Sequence, residues 1–94
     1  MKTILVVNDE QSTRLLYKEE LKEDDYQVSV AATGEEALKM LDKHIPDLII
    51  LNIKIPGMDG IEVMSKIKDE KRDIPIILCS AYGQYKQGFR IWAS

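Results

Sequence analysis

Cysteine occurs once in this 94-residue sequence, so an internal disulfide is excluded. The single Cys79 lies in an apolar run and reads as a buried, inert thiol. Histidine also occurs once; His44 stands beside a helix end and Pro46, with no second His or Cys at metal spacing, and reads as a surface or capping residue. An excess of positive charge is missing too. Lys and Arg number 13 against 16 Asp and Glu, a formal net charge of -3 with the signs mixed throughout, which gives no electrostatic footprint for nucleic acid or an anionic membrane surface. No apolar run reaches membrane length, and Met1-Lys2-Thr3 leads straight into a short apolar segment. A cytoplasmic protein with neither nucleic acid nor membrane as partner is expected. Repeats, low-complexity tracts and linkers are absent, so residues 1–94 read as one domain.

What is present is organised around Asp47 to Gly60. Leu48, Ile49, Ile50 and Leu51 form an uninterrupted apolar run of the kind found in a parallel strand covered on both faces. Asn52 stands where that strand should end, Pro56-Gly57 break the backbone, and Asp59 precedes a new periodic segment as a helix cap. Ahead of it, Ile4-Leu5-Val6-Val7 is a β-rich run ending in Asn8-Asp9-Glu10. A helix is expected from about Ser12 to Asp24, with Thr13, Leu16, Tyr17 and Leu21 at helical spacing. Tyr26 to Ala31 alternates, with Tyr26, Val28 and Val30 on one face, as a short strand at an edge.

Thr33-Gly34-Glu35-Glu36 matches a capping box, and Ala37, Leu38 and Leu41 supply the buried stripe of the helix it opens. After the central stretch, Ile61, Met64 and Ile67 mark a third amphipathic helix. Ile76 to Cys79 is the fourth strand, leading to Ser80. Tyr82, Tyr85, Phe89 and Trp92 recur at heptad-like spacing and predict a final helix over 82–94, against which Gly83 and Gly88 count. Strand alternates with helix throughout, so the fold class is α/β: a parallel sheet, helices on both faces and right-handed crossovers.

In such a sheet the carboxyl ends of the strands hold the ligand site. Three polar clusters meet there: Asn8-Asp9-Glu10, Asn52 and Ser80. A hard divalent cation wants carboxylate and carbonyl oxygens, and phosphoryl transfer onto a carboxylate wants that cation and a hydroxyl donor beside it. Asp9 and Glu10 supply charge. Asn52 cannot accept a phosphoryl group, because a neutral amide is a poor nucleophile with no ionised oxygen.

The series ILVVNDE, PDLIILNIKIPGMDG and IPIILCSAYG, in this order and spacing, resembles the receiver domain of two-component response regulators over essentially the whole chain. The resemblance implies a flavodoxin-like, doubly wound sheet in the order 2-1-3-4. It implies that two adjacent acids fall on Asn8 and Asp9, that the phosphorylated Asp falls on Asn52, that the backbone carbonyl of Lys54 is a magnesium ligand, and that the phosphoryl-contacting hydroxyl falls on Ser80. Its implied partners are a sensor histidine kinase and an output protein.

Two near-isosteric amides, Asn8 and Asn52, therefore stand where the family carries Asp. The shape stays and two negative charges go, which predicts weakened Mg²⁺ binding at Asp9, Asn52 and the Lys54 carbonyl, and no phosphorylation. The family's fifth strand, last helix and site Lys have no counterpart, so the fourth strand is expected as an exposed apolar edge. That edge or the final aromatic helix would then support a homodimer.

The leading expectation is a non-phosphorylatable, non-enzymatic receiver-like module acting through protein contacts. The alternatives are an altered or shortened form of an ordinary Asp-phosphorylated, Mg-dependent regulator, and a small flavodoxin-like nucleotide or flavin binder. Val7-Asn8-Asp9-Glu10-Gln11 speaks against the last, since it lacks the glycines that let a helix N-terminus approach a phosphate.

Overall fold

The computed structural model describes residues 2–55, 57–70, 73–80 and 90–93. Four parallel strands, β1 (Thr3–Val7), β2 (Gln27–Ala31), β3 (Leu48–Asn52) and β4 (Ile76–Ser80), lie in the order β2-β1-β3-β4. Three helices connect them: α1 (Gln11–Glu23), α2 (Gly34–Lys43) and α3 (Gly60–Asp69). The strand order is the one the resemblance implies, and β2 is the edge strand the alternation predicted.

Because side chains alternate along a strand, Leu5 and Val7 point to one face of the sheet and Ile4 and Val6 to the other. The first pair joins Ile49, Leu51, Ile76 and Leu78 in a core closed by Ala37 and Leu41 of α2 and by Val63 and Ile67 of α3. Helix α2 begins as its capping box dictates. Glu36 N donates to Thr33 Oγ1 at 3.1 Å, while Glu36 Oε1 reaches back to accept from Ala32 N at 2.8 Å. In α3 the cap is Asp59, whose Oδ1 accepts from Glu62 N at 2.9 Å. Ile61, expected on the buried stripe, is 49% exposed, because the inward line runs through Gly60, Val63 and Ile67 and Ile61 lies about a third of a turn off it.

The other face carries α1 alone among the described residues. No residue of α1 is fully buried. Tyr17 and Leu21 are half-buried as their spacing suggested, but Leu16 is not inside: Leu15 and Leu16 are 55% and 56% exposed on a flank of the helix that no other helix covers among the described residues. The acidic end of α1 resolves as a turn, in which Asp24 N, Asp25 N and Tyr26 N bond back to the carbonyls of Leu21 and Lys22, with Asp25 in the left-handed region at φ 68°.

Two expectations are corrected at the far edge. A fifth strand, β5 (Arg90–Ala93), pairs antiparallel with β4, setting Ile77 against Ala93 and Ser80 against Arg90. The edge of β4 is therefore covered within the chain rather than exposed. Residues 90–93, including Trp92, are extended and not part of a final helix. Arg-Ile-Trp-Ala favours this, since β-branched and aromatic residues suit a pleated ladder and an open sheet edge offers hydrogen bonds that an isolated last helical turn lacks. Tyr82, Tyr85 and Phe89 lie outside the described residues.

Candidate functional site

The register of the sheet assembles the site. Val7 pairs with Leu51 and Asn52 with Cys79, so Asn8, Asn52 and Ser80 leave the same end of three adjacent strands. Neighbouring strands are separated by about 4.8 Å, close enough for groups at these positions to share a ligand. The sequence-level grouping of Asn8, Asn52 and Ser80 is thus met in the backbone.

Asn8 and Asn52 are the buried polar residues of the described chain, 7% and 8% exposed. Burial of a polar group is tolerated when its hydrogen bonds are made. Asn8 makes several. Its main-chain N donates to Ala31 O at 3.0 Å, its Oδ1 accepts from Glu10 N at 2.9 Å in an Asx turn, and its carbonyl accepts from Arg14 Nη1 at 2.7 Å.

The second amide, Asn52, donates from Nδ2 to the carbonyl of Lys54 at 3.0 Å. Among the described residues, no buried side-chain nitrogen or oxygen is left without a partner. The loop beyond Asn52 is held from both sides. Ile53 N donates to Cys79 O at 3.0 Å, and Gly60 N donates to Ile53 O at 2.7 Å. Only a glycine fits at 60: a Cβ there would run into the Asn52 carbonyl and come within 2.8 Å of Ile53 Cα. Gly57 takes φ 81°, which completes the turn between them.

Asp9 and Glu10 are exposed at the mouth of the site. Glu10 is the N-cap residue of α1, and its Oε1 accepts from Thr13 Oγ1 at 3.2 Å. Behind the site, Tyr17 of α1 leans on β4, its hydroxyl 4.0 Å from Cys79 Sγ. Cys79 is buried, and burial pushes its thiol up, as expected for an unreactive cysteine. Tyr17 is pushed up to about 12, first by its own burial and then by Cys79 beside it.

A magnesium ion would seek about six oxygen ligands in near-octahedral array, several of them charged. The chain offers the Asp9 carboxylate, the Glu10 carboxylate already held by Thr13, the Lys54 carbonyl already bonded to Asn52, and amide oxygens. No group of three or more His, Cys, Asp or Glu poised for a metal occurs among the described residues. These residues fit a magnesium site poorly.

Arg14 was not singled out from the sequence. Its signal was there: a cation in the first turn of a helix opposes the helix dipole and needs an acceptor outside the helix, and Asn8 O supplies one. The Tyr17–Cys79 contact joins residues 62 apart and had no local signal.

An open α/β sheet in the order β2-β1-β3-β4, with polar residues gathered at its carboxyl edge beside the loop after β3, is the arrangement of a flavodoxin-like fold. The chain belongs to the response regulator receiver domain family, whose model matches residues 4–92. It is 42% identical over 81 residues to sporulation initiation phosphotransferase F of Bacillus subtilis, covering 86% of this chain and 65% of that protein. The chain therefore spans just under two thirds of that relative's length. Among solved structures it is similar to the response regulator TrrA of Thermotoga maritima in complex with Mg²⁺-BeF, with 48% identity, a TM-score of 0.82, and coverage of 93% of this chain and 76% of that one. TrrA in complex with the histidine kinase ThkA gives 49% identity and the same TM-score of 0.82, over 92% of this chain and 74% of that one. Among the described residues no helix is long and apolar enough to cross a membrane.

Proposed function

We propose that this chain is a receiver module of two-component signalling that is not phosphorylated at Asn52 and acts through protein contacts rather than as an enzyme. The observation that carries the reading is Asn52 itself, a neutral amide buried at the carboxyl end of β3 and bonded to Lys54 O, in the position the family motif gives to the acceptor Asp. An amide has no ionised oxygen with which to attack phosphorus. Asn8, Asp9, Glu10 and Ser80 fill the remaining motif positions. With Asn in place of Asp at 8 and 52, Mg²⁺ binding through Asp9, Asn52 and the Lys54 carbonyl is weakened.

A histidine kinase is the proposed partner, by likeness to the TrrA–ThkA pair. Leu15 and Leu16, exposed on α1, offer apolar surface for such a contact. A homodimer through the β4 edge loses its motive, since β5 covers that edge. The proposed compartment is the cytoplasm, with neither nucleic acid nor membrane as partner.

Intact-mass measurement after incubation with acetyl phosphate and magnesium tests the reading. The native chain should gain no phosphoryl group, and a chain carrying Asn8→Asp and Asn52→Asp should gain one. Phosphorylation of the native chain would overturn the proposal. The preserved frame around both amides keeps the second reading open: an ordinary phosphoacceptor receiver in altered form, for which the doubly substituted chain would be the functional one.

A further inference from the structure

The bond between Asn52 Nδ2 and Lys54 O does more than satisfy a buried amide. With a carboxylate at position 52, both partners would be acceptors, and two lone-pair donors cannot sit together without a positive centre between them. A hard cation supplies that centre in a magnesium-binding pocket. Here the amide supplies it as its own N–H.

We infer that the Asn52 amide is an internal replacement for the cation, holding Ile53 to Ile55 in the arrangement seen here whether or not Mg²⁺ is present. This rests on the reading of Asn52 as the acceptor position and adds a consequence for regulation: the pocket is set permanently in one geometry, insensitive to magnesium.

Four further contacts fit this arrangement. Ile53 N is bonded to Cys79 O, so the start of the loop is tied to β4. Gly60 N is bonded to Ile53 O, so its end is tied to α3. On the neighbouring loop, Asn8 Oδ1 takes Glu10 N while Arg14 covers the Asn8 carbonyl, so that turn too is closed by N–H donors of the chain itself. A loop held at Asn52, Ile53 and Gly60 has few alternatives to explore, which is the physical content of a locked switch.

The test is thermal unfolding of the native chain and of Asn52→Asp, each in EDTA and in excess magnesium chloride, with amide hydrogen exchange of residues 53–55 on the same samples. The native chain should melt at the same temperature in both media, with unchanged protection at 53–55. Asn52→Asp should melt lower in EDTA, by roughly 4–8 °C, and recover with magnesium.

A native chain that gains stability or loop protection from magnesium would overturn the inference. So would an Asn52→Asp chain as stable as the native one in EDTA, or one that magnesium does not rescue. Phosphorylation of the native chain would instead defeat the functional reading while leaving the melting comparison intact, so the two failures are distinguishable.

Discussion

Arg14 donates from Nη1 to the main-chain carbonyl of Asn8 at 2.7 Å, tying the first turn of α1 to the end of β1. A charged donor on a partly buried carbonyl is worth about 1.5–3 kcal/mol. Arg14→Met keeps much of the alkyl stem and removes the donor, so it should lower the unfolding free energy by about that amount. Arg14→Lys should recover only part of the loss, because an ammonium on a flexible stem does not reproduce the guanidinium geometry. Urea midpoints of the three proteins check both statements.

Tyr17 provides a pH-dependent term at the alkaline end. Its hydroxyl is pushed up to about 12 from an ordinary value of 10.0, by burial first and by Cys79 second. The fold thus prefers the neutral phenol. Its contribution to stability is complete below pH 10, where folded and unfolded chains are both protonated there, and is lost as pH rises through about 12. Tyr17→Phe should flatten the fall in stability across that window, read by unfolding curves at stepped pH, and should remove a late-titrating step from the near-ultraviolet titration of the native chain.

At the acid end the corresponding group is Asp47. Its Oδ2 accepts from Thr3 N at 2.7 Å, and chiefly this bond, with the Thr3 hydroxyl and the charge of Lys2 adding to it, holds the carboxyl below its ordinary value of 3.8. A depressed carboxyl stabilises the fold above the unfolded value and loses that contribution as pH falls through the folded one. Asp47→Asn should therefore lower stability near neutrality and show a smaller further loss below pH 3.8, where the two chains converge. Acid unfolding followed by circular dichroism is the measurement.

Gly60 allows α3 to start against the backbone of Asn52 and Ile53. Gly60→Ala would force a methyl onto the Asn52 carbonyl, and neither main-chain neighbour can rotate out of the way. Overpacking of this kind costs about 1–3 kcal/mol. A lower denaturant midpoint at unchanged slope is expected, together with altered amide shifts at Asn52 and Ile53.

Much of this molecule was legible in the chain because its signals are local. The run Leu48 to Leu51 read as a buried strand, with Ile49 and Leu51 inside and Leu48 and Ile50 partly covered, and the Thr33–Glu36 box and the Asp59 cap opened their helices where hydrogen-bond chemistry requires. The motif positions Asn8, Asn52 and Ser80 were legible because open parallel sheets collect their polar strand ends at one edge. Ile61 and Leu16 were misplaced for a shared reason. Spacing states that a helix has an apolar side, but which apolar residue faces inward depends on what else is packed there.

The sequence by itself determined the alternation of strand and helix, the parallel sheet, the caps and the two amides in place of acids, since each follows from side-chain type and spacing over a few residues. Only the tertiary structure decided that Arg14 closes over Asn8, that Tyr17 rests on Cys79, that Asn52 bonds to Lys54, and that Arg90–Ala93 pairs with β4. Whether a donor finds its acceptor, or an apolar segment its ladder, depends on directions and free edges fixed only when the whole sheet has assembled.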